Sequence, residues 1–314
     1  FLGGNLPEPR KFVFGARDRM DERYDIIRMV RDKRFKYIRN YEPLKTFYQY
    51  MNTPEKGSTM NDLRRLHDAG KLAKIPNQFF APTKPVEELY DCDQDPHELN
   101  NLAANPKYAK QLTQLREAHL DWVKRTKDLG LIAEPIIIER EKKIGHRYGI
   151  LREGDGDAVS KRVANVAVQA SAGTKALPEL IKALTDKDSA VRYWAATGIG
   201  NIGKPAKSAE RKVTALLKDE SSVVRTAAAR ALARLGNPGS ALPVLTRELD
   251  QGEQWERLHA AIVLDEMDEQ ARPALQAMHA ALEPRPKFYA KGKYTVRVIN
   301  RALNQLEATT RRVP

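Results

Sequence analysis

The stretch KFVFGARDRMDERYDIIRMVRDKRFKYIRN, residues 11–40, decides the fold of the first part of the chain. Three short segments in it are rich in β-branched and aromatic residues, which is typical of β-strands. They are residues 11–16, 26–32 and 34–40. Phe35 and Tyr37 lie two residues apart, so they share one face of the third strand. We expect the second and third strands to form a hairpin around Asp32 and Lys33.

The segment that follows the hairpin predicts a short helix within residues 57–71, GSTMNDLRRLHDAGK. Ser58 or Thr59 is expected to cap its N-terminus, and Gly70 to end it.

Residues 87–108, EELYDCDQDPHELNNLAANPKY, predict a fourth strand followed by a turn. EELYD suits a strand with Leu89 pointing inward. Asp95, Pro96 and Glu98 have the order of an acidic cap, a first-turn proline and a capping-box glutamate. One turn of helix is therefore expected after Asp95.

A longer helix is predicted to begin at Asn105 and Pro106 and to end at Gly130. An apolar stripe recurs along it at alternating spacings of four and three residues, which is typical of a core-facing helix surface. Its members are Tyr108, Leu112, Leu115, His119, Trp122, Thr126 and Leu129. We expect this helix to pack across the sheet with Trp122 as its main anchor.

The second half of the chain contains an internal repeat. Residues 177–203 align with residues 210–236 at an offset of 33, and a third copy follows at an offset of 32. Arg192, Arg225 and Arg257 occupy the same position in the three copies. Each copy reads as two helices joined by a polar turn, and such units stack into a solenoid because none can bury its apolar face alone. A fourth copy is interrupted by an insertion around Pro284 and Pro286.

These patterns predict an α+β fold, with a small antiparallel sheet and a packed helix, followed by an all-α helical-repeat solenoid. The expected boundaries are residues 1–150 for the first domain, 151–160 for a linker and 161–314 for the repeats. The sequence contains no apolar run of the roughly 18 to 20 residues that a membrane span requires, so we expect no membrane partner.

The net charge of +13 is concentrated in two windows. Residues 10–39 have eleven Lys and Arg against five Asp and Glu, and residues 285–314 have eight against one. The two surpluses, +6 and +7, equal the whole net charge. Such windows attract anions, and the alternative is that they only solubilise exposed strands and a tail.

The loop ARDRMDERYD, residues 16–25, is the densest mixed-charge cluster and the candidate site. Arg17 and Arg19 supply planar guanidinium groups suited to sulfate, phosphate or carboxylate, and Asp18 can hold them in place or bind sugar hydroxyls. The alternative is a surface loop whose charges neutralise each other. No metal site is predicted, because the histidines are scattered and a single cysteine provides no cysteine-based cluster.

Two further motifs favour structural roles. GIGNIG, residues 198–203, matches the spacing of dinucleotide-binding loops, but the next repeat has a helix interior at the same position. Cys92 is flanked by Asp91 and Asp93, whose charges raise rather than lower a thiol pKa. We therefore expect neither a nucleotide site nor a cysteine nucleophile.

Residues 17–43 and 87–103 resemble the C-terminal subdomain of the formylglycine-dependent sulfatases, and the resemblance extends over about residues 10–135. The second half resembles HEAT-type helical repeats. The sulfatase resemblance implies a sheet-and-helix subdomain docked on a larger α/β catalytic domain. It also implies that Arg17, Asp18 and Arg19 lie near the substrate pocket of an enzyme that hydrolyses sulfate esters.

In that family the formylglycine is made from the Cys of a C-x-P-S-R motif, and both it and calcium belong to the catalytic domain. Cys92 is followed by Asp-Gln-Asp instead. We therefore expect no catalytic residue and no cofactor in this chain, an upstream catalytic domain as its partner, and a sulfated carbohydrate as substrate. Because the sequence begins at Phe1 rather than Met, we expect either that an N-terminal part was removed or that the chain is a piece of a longer protein.

The resemblance also implies export to the periplasm or the exterior. A protein or polymer partner is expected on the repeat surface. The alternative function is a free-standing, non-enzymatic repeat module that binds acidic polymers or proteins. Nucleic acid is a less favoured partner, because the aromatic residues are not interleaved with the basic ones as they are in base-stacking platforms.

Overall fold

The computed structural model describes residues 8–313, so the predicted domain ends at Phe1 and Pro314 lie outside it. Its first part contains one antiparallel sheet in the order β1-β2-β3-β4. The strands are β1 (Val13–Arg17), β2 (Ile27–Arg31), β3 (Phe35–Asn40) and β4 (Glu87–Asp91). Arg31 pairs with Lys36, which confirms the hairpin, and the Asp32 carboxylate accepts hydrogen bonds from the amides of Arg34 and Phe35.

The remaining regular structure is helical. The α-helices are α1 (Asn52–Glu55), α2 (Ser58–Asp68), α3 (Lys74–Asn77), α4 (Ala109–Thr126), α5 (Glu134–Ile144), α6 (Gly156–Gln169), α7 (Leu177–Ala183), α8 (Ser189–Ile202), α9 (Glu210–Ala215), α10 (Ser222–Leu235), α11 (Pro238–Gln251), α12 (Gln254–Glu266), α13 (Leu275–Ala280) and α14 (Lys293–Glu307). Short 3-10 helices are Gln78–Phe80, Pro106–Tyr108, Leu129–Leu131, Arg147–Leu151, Gly173–Ala176, Lys204–Ala209, Leu216–Lys218, Asp268–Ala274 and Tyr289–Gly292. Within residues 8–313, no helix combines the length and the apolar character that crossing a membrane requires.

Helix α4 packs across the sheet as expected. Leu112 and Leu115 of α4 join Val30, Tyr37 and Leu89 of three neighbouring strands in one buried cluster. The sheet face toward α4 is therefore apolar and covered by this helix. The fold class is confirmed, with a small antiparallel sheet, a packed helix and a following array of helices.

Trp122 stacks on Phe14 with ring centroids 5.0 Å apart, but it is only partly buried. It therefore sits at the edge of the helix contact, and the fully buried leucines of α4 fill the centre. The helix ends before Gly130, because Lys127 adopts the left-handed conformation at φ 53° and terminates it.

The predicted turn of helix after Asp95 is wrong. The Asp95 carboxylate does accept hydrogen bonds, from the amides of Leu99 and Asn100, both at 2.8 Å. However, Glu98 has a left-handed φ of 56°, and its side chain forms an ion pair with Lys36 of β3. The chain therefore forms a turn here and no helix. The long-range ion pair outweighs the local capping box.

The cap of α2 also differs from the prediction. Gly57 occupies the N-cap position, and Ser58 is already the first helical residue. Gly70 follows the helix with a φ of 64°, as expected for a terminating glycine.

The predicted linker is shorter in the structure. Residues 156–169 form α6, and Val159 and Ser160 within it are buried. The Gly- and Asp-rich composition of this segment thus belongs largely to a helix start, where acidic and small residues are favoured.

The repeat region consists of the helix pairs α7–α8, α9–α10, α11–α12 and α13–α14. Small residues let neighbouring pairs approach closely: a Cβ added to Gly200 of α8 would lie 3.1 Å from the Ala231 Cα of α10. A buried cluster joins the two parts of the chain, because Tyr24, Ile26 and Tyr41 pack with the repeat helices, while the sheet and α4 form a second cluster.

Candidate functional site

The candidate loop between β1 and β2 lies against the repeat helices. The Tyr294 hydroxyl of α14 donates to Asp21 at 2.9 Å, and Arg297 forms an ion pair with the buried Glu22 at 3.4 Å. The rings of Tyr24 and His259 meet edge to face with centroids 4.5 Å apart. The loop is therefore held by helices that lie more than 200 residues later in the sequence.

Asp18 at the start of this loop contributes to a buried ionic cluster. The guanidinium of Arg28 is fully buried and donates to Asp18 at 2.8 Å and to Asp128 at 2.6 and 3.0 Å. Burial disfavours the Arg28 charge, but the two carboxylates outweigh it and raise the Arg28 pKa above its usual range. Asp18 retains 45% side-chain exposure, so one carboxylate side faces solvent.

Arg19 is engaged by three residues of the later chain. Its guanidinium forms an ion pair with Glu134 of α5 and lies 4.0 Å from the Trp255 ring centroid, over the ring face. Tyr294 lies further out, at 5.9 Å. The Arg19 side chain thus fastens the loop to the repeats and has little freedom to bind another group.

Arg17 differs from its two neighbours. It pairs with Ile27 in the sheet register, whereas the adjacent Ala16 pairs with the Arg28 that reaches toward α4. Side chains alternate along a strand, so Arg17 shares the opposite sheet face with Ile27 and Met29. It is half-buried, and its guanidinium has no ion pair with any other described residue. Of the three predicted residues, Arg17 is the one available to an external anion.

A second basic feature, which the sequence did not reveal, is a cleft of about 570 Å³ between residues 44–83 and the helices α10, α12 and α14. Its cations are Lys45, Arg64, Arg230, Arg234 and Arg301. Four of them are neutralised by carboxylates of Glu55, Asp265 and Glu266.

Arg234 is the exception in this cleft. Its Nε donates to the Gly200 carbonyl at 2.7 Å, and no carboxylate in residues 8–313 forms an ion pair with it. Burial, and then the neighbouring Arg230, lower its pKa. These residues lie far apart in sequence, so only the tertiary fold could bring them together.

The two halves of the chain also meet in a buried ionic cluster. Glu266 accepts from Lys45 at 3.0 Å and from Arg230 at 2.6 Å, and all three side chains are largely buried. Burial opposes the Glu266 charge, but Arg230 and Lys45 outweigh it and lower the Glu266 pKa to about 2. Glu42, fully buried beside them, has a raised pKa because of burial. This cluster has a structural role: it joins the Lys45 segment of the first half to α10 and α12 of the repeats.

The structure places GIGNIG in a helix, as the repeat alignment predicted, and Cys92 just after a strand. GIGNIG lies at the end of α8, where a Cβ on Gly198 would come within 2.8 Å of the Ala170 Cα. Cys92 is half-buried after β4, and burial raises its pKa. In residues 8–313, no group of three or more His, Cys, Asp or Glu side chains could hold a metal ion.

Comparisons with known proteins agree with this architecture. HEAT repeats match residues 177–265. Two ulvan-active sulfatases of Formosa agariphila are similar to this chain. One is 43% identical over 140 residues, which is 45% of this chain and 24% of that protein. The other is 33% identical over 142 residues, which is 43% of this chain and 26% of that protein.

The chain thus spans about a quarter of the length of these curated relatives. Among solved structures, an engineered protein is 18% identical with a TM-score of 0.36, covering 64% of this chain and 96% of that one. The sequence and family matches together describe a sulfatase-related piece that carries helical repeats.

Proposed function

We propose that this sulfatase-related chain is the C-terminal portion of an enzyme that hydrolyses sulfate esters on a carbohydrate polymer such as ulvan. The observation that supports this most directly is the 43% identity over 140 residues to an ulvan-active sulfatase. In this proposal the chain positions substrate and the sulfate-ester chemistry occurs in an upstream catalytic domain. The formylglycine and the calcium ion belong to that domain, because the one cysteine here, Cys92, lacks the x-Pro-Ser-Arg that must follow it.

Arg17 is the residue we assign to substrate. A guanidinium presents parallel N–H groups that match two oxygens of a sulfate, and an arginine without an ion pair is free to use them. Asp18 and Arg19 support it indirectly, because their contacts with Arg28 and Glu134 fix the loop in which Arg17 ends β1. Asp18 keeps an exposed oxygen that can accept from a sugar hydroxyl.

The sheet face that carries Arg17 is the face we assign to the upstream domain. Ile27, Met29 and Ile38 remain half-buried there, and Val13 of the edge strand is 49% exposed. Apolar side chains grouped on one sheet face favour contact with another protein surface. A catalytic domain seated on this face would place its pocket beside Arg17.

The repeats have two roles in this proposal. They brace the candidate loop through Asp21, Glu22 and Tyr24, so that Arg17 is presented on a rigid support. They also add the cleft of about 570 Å³, where Arg234 can contact a further anionic group of a polymer. A long substrate would then touch both Arg17 and the cleft.

The test is sulfate release from ulvan by the full-length enzyme, compared between wild type and Arg17→Ala. Losing a charge-assisted hydrogen bond costs roughly 1.5–3 kcal/mol, so we expect kcat/KM to fall about 10- to 100-fold, mainly through KM. Arg211→Ala on α9 is the matched control, since Arg211 is exposed and has no ion pair with other described residues. Its kinetics should equal those of wild type.

Two results would overturn the proposal at different levels. Equal KM values for Arg17→Ala and Arg211→Ala would remove Arg17 from the substrate site and leave the enzyme assignment intact. A full-length protein that releases no sulfate, or an upstream coding sequence without C-x-P-S-R, would refute the assignment itself. Binding of the isolated chain to DNA and to ulvan with equal affinity and equal salt dependence would instead favour a general polyanion-binding module.

A further inference from the structure

Arginines at one repeated position form a series along the solenoid. Arg192 binds the Asp219 carboxylate of the next repeat through Nε and Nη2, at 2.7 and 2.9 Å. Arg225 binds Glu248 in the same two-pronged way, at 2.7 and 2.8 Å. In both cases the third guanidinium nitrogen donates to carbonyls of the turn just before its own helix. The repeated arginine is thus built to hold a carboxylate.

Arg257, the third member, lacks that carboxylate. Only 1% of the residue is exposed, and its Nε and Nη1 atoms have no hydrogen-bond partner among residues 8–313. The insertion that interrupts the fourth repeat brings Phe288 to this place, with its ring centroid 5.6 Å from the Arg257 Cζ. Asp250, the acid whose charge acts on Arg257, is bound by Arg285 at 3.2 Å. Burial and the proximity of Arg285 lower the Arg257 pKa to about 10.

We propose that Arg257 is an oxyanion-binding residue, and that a sulfate or carboxylate from solution occupies the place of the missing repeat carboxylate. A second donor points to the same conclusion: Gln254, one helical turn earlier, has a buried Nε2 without a partner. Buried donors are normally satisfied, so two of them within one helical turn indicate an absent acceptor. This inference uses a different site and does not depend on the proposed function.

A groove of about 310 Å³ lies beside the start of α12 and the inserted loop. Gln254 and Phe288 line it, whereas Arg257 itself does not. Glu256, also on the wall, is already engaged by Ser222 at 2.7 Å and by the Glu253 amide at 2.8 Å.

The inserted loop can yield to an entering anion. Ala290 and Lys291 hold left-handed φ values of 46° and 58°, which are strained for residues other than glycine. The loop also belongs to the basic window 285–314, and its Lys287 lies on the groove wall with Lys142 and with four acids, Glu139, Glu220, Glu253 and Glu256.

The experiment measures sulfate binding to the whole chain by calorimetry, and thermal unfolding in sulfate and chloride at matched ionic strength. We expect saturable binding of inorganic sulfate, a rise in Tm beyond that in chloride, and at least about tenfold weaker binding in Arg257→Lys, which keeps the charge but loses the fork. Arg257→Met should unfold at an equal or higher temperature than wild type without sulfate, because it removes a buried unpaired charge. Acetate and a sulfated polysaccharide, as separate arms, distinguish a carboxylate ligand and a polymer-borne sulfate from the free ion.

Equal sulfate effects on wild type, Arg257→Lys and the matched control Arg211→Lys would refute the inference, since a general salt effect needs no site. The inference would also fail if Asp250→Asn lowered Tm as much as the loss of one partner of a buried ion pair does. In that case Asp250 would be the partner of Arg257 in solution, and no external anion would be needed. If Arg257→Met does not fold, the Arg257→Lys binding measurement decides alone.

Discussion

Neutralising Glu266 is expected to destabilise the whole chain, because this carboxylate holds cations from both of its parts. Lys45 comes from the segment between β3 and β4 and Arg230 from α10, with side-chain exposures of only 8% and 11%. In Glu266→Gln both cations stay buried without their anion. Breaking a buried pair in this way costs roughly 3–5 kcal/mol.

The pKa of Glu266 gives a second way to calculate this loss in the free energy of unfolding. The shift from 4.5 to about 2 corresponds, at 1.36 kcal/mol per pKa unit, to about 3 kcal/mol. Because the folded pKa is depressed, this stability is present above pH 4.5 and is lost as the pH falls toward 2. We therefore expect Glu266→Gln to lower the free energy of unfolding at pH 7 by about 3 kcal/mol and to flatten its dependence on pH in that window.

Urea unfolding monitored by far-UV circular dichroism and by tryptophan fluorescence measures this loss. Lys45→Met combined with Glu266→Gln should cost less than the sum of the two single variants, by at least about 1 kcal/mol, because each removes the partner of the other. Asp62→Asn is the control, since the Asp62–Arg65 pair is 69% and 67% exposed and should change stability by under about 0.5 kcal/mol.

The reasoning would be refuted by a loss below about 1 kcal/mol, or by additive single variants. Glu42 would then be the carboxylate that balances the charges of Lys45 and Arg230. Two separate unfolding transitions in wild type would also refute the expectation that this carboxylate affects the whole chain, because the sheet and the repeats would then not unfold as one cooperative unit.

Three further outcomes are expected. Burial lowers the pKa of His119 to about 4 and of His259 to about 3. The free energy of unfolding should therefore decline as the pH falls below 6.5, by about 1 kcal/mol per histidine at pH 5.5. Urea unfolding of the His119→Gln and His259→Gln variants should show a weaker dependence of this free energy on pH. Gly198→Ala should overpack against the end of α6, which costs roughly 1–3 kcal/mol of stability and lowers Tm. Gly239→Ala should leave Tm unchanged, because its added Cβ meets nothing within 4 Å. Cys92→Ser should leave both Tm and sulfate release by the full-length enzyme unchanged, and any loss of turnover would contradict its structural role.

The parts of the fold that rest on local patterns could be predicted from the sequence. Alternation in residues 34–40 predicted β3, the Asn105 cap predicted the start of the long helix, and the offset of 33 predicted the repeats. The prediction of a helical turn after Asp95 was wrong, because the Glu98 side chain forms an ion pair with Lys36, some 60 residues away in sequence. A capping box is a local preference, and a long-range ion pair on the sheet can override it.

The candidate site shows the same division between local and distant causes. From the sequence, Arg17, Asp18 and Arg19 were equally good ligands for an anion, and a neutral surface loop was an equal alternative. In the structure, Asp18 and Arg19 are engaged by charges on other elements while Arg17 is not, and substrate contact by these residues stays a prediction. Arg257 shows the reverse: its neighbours in sequence are ordinary for a repeat, and only the comparison with Arg192 and Arg225 in space reveals a missing carboxylate. For charged residues on this scaffold, the pairing partner therefore decides between a structural and a binding role, and that partner lies on another repeat or another strand.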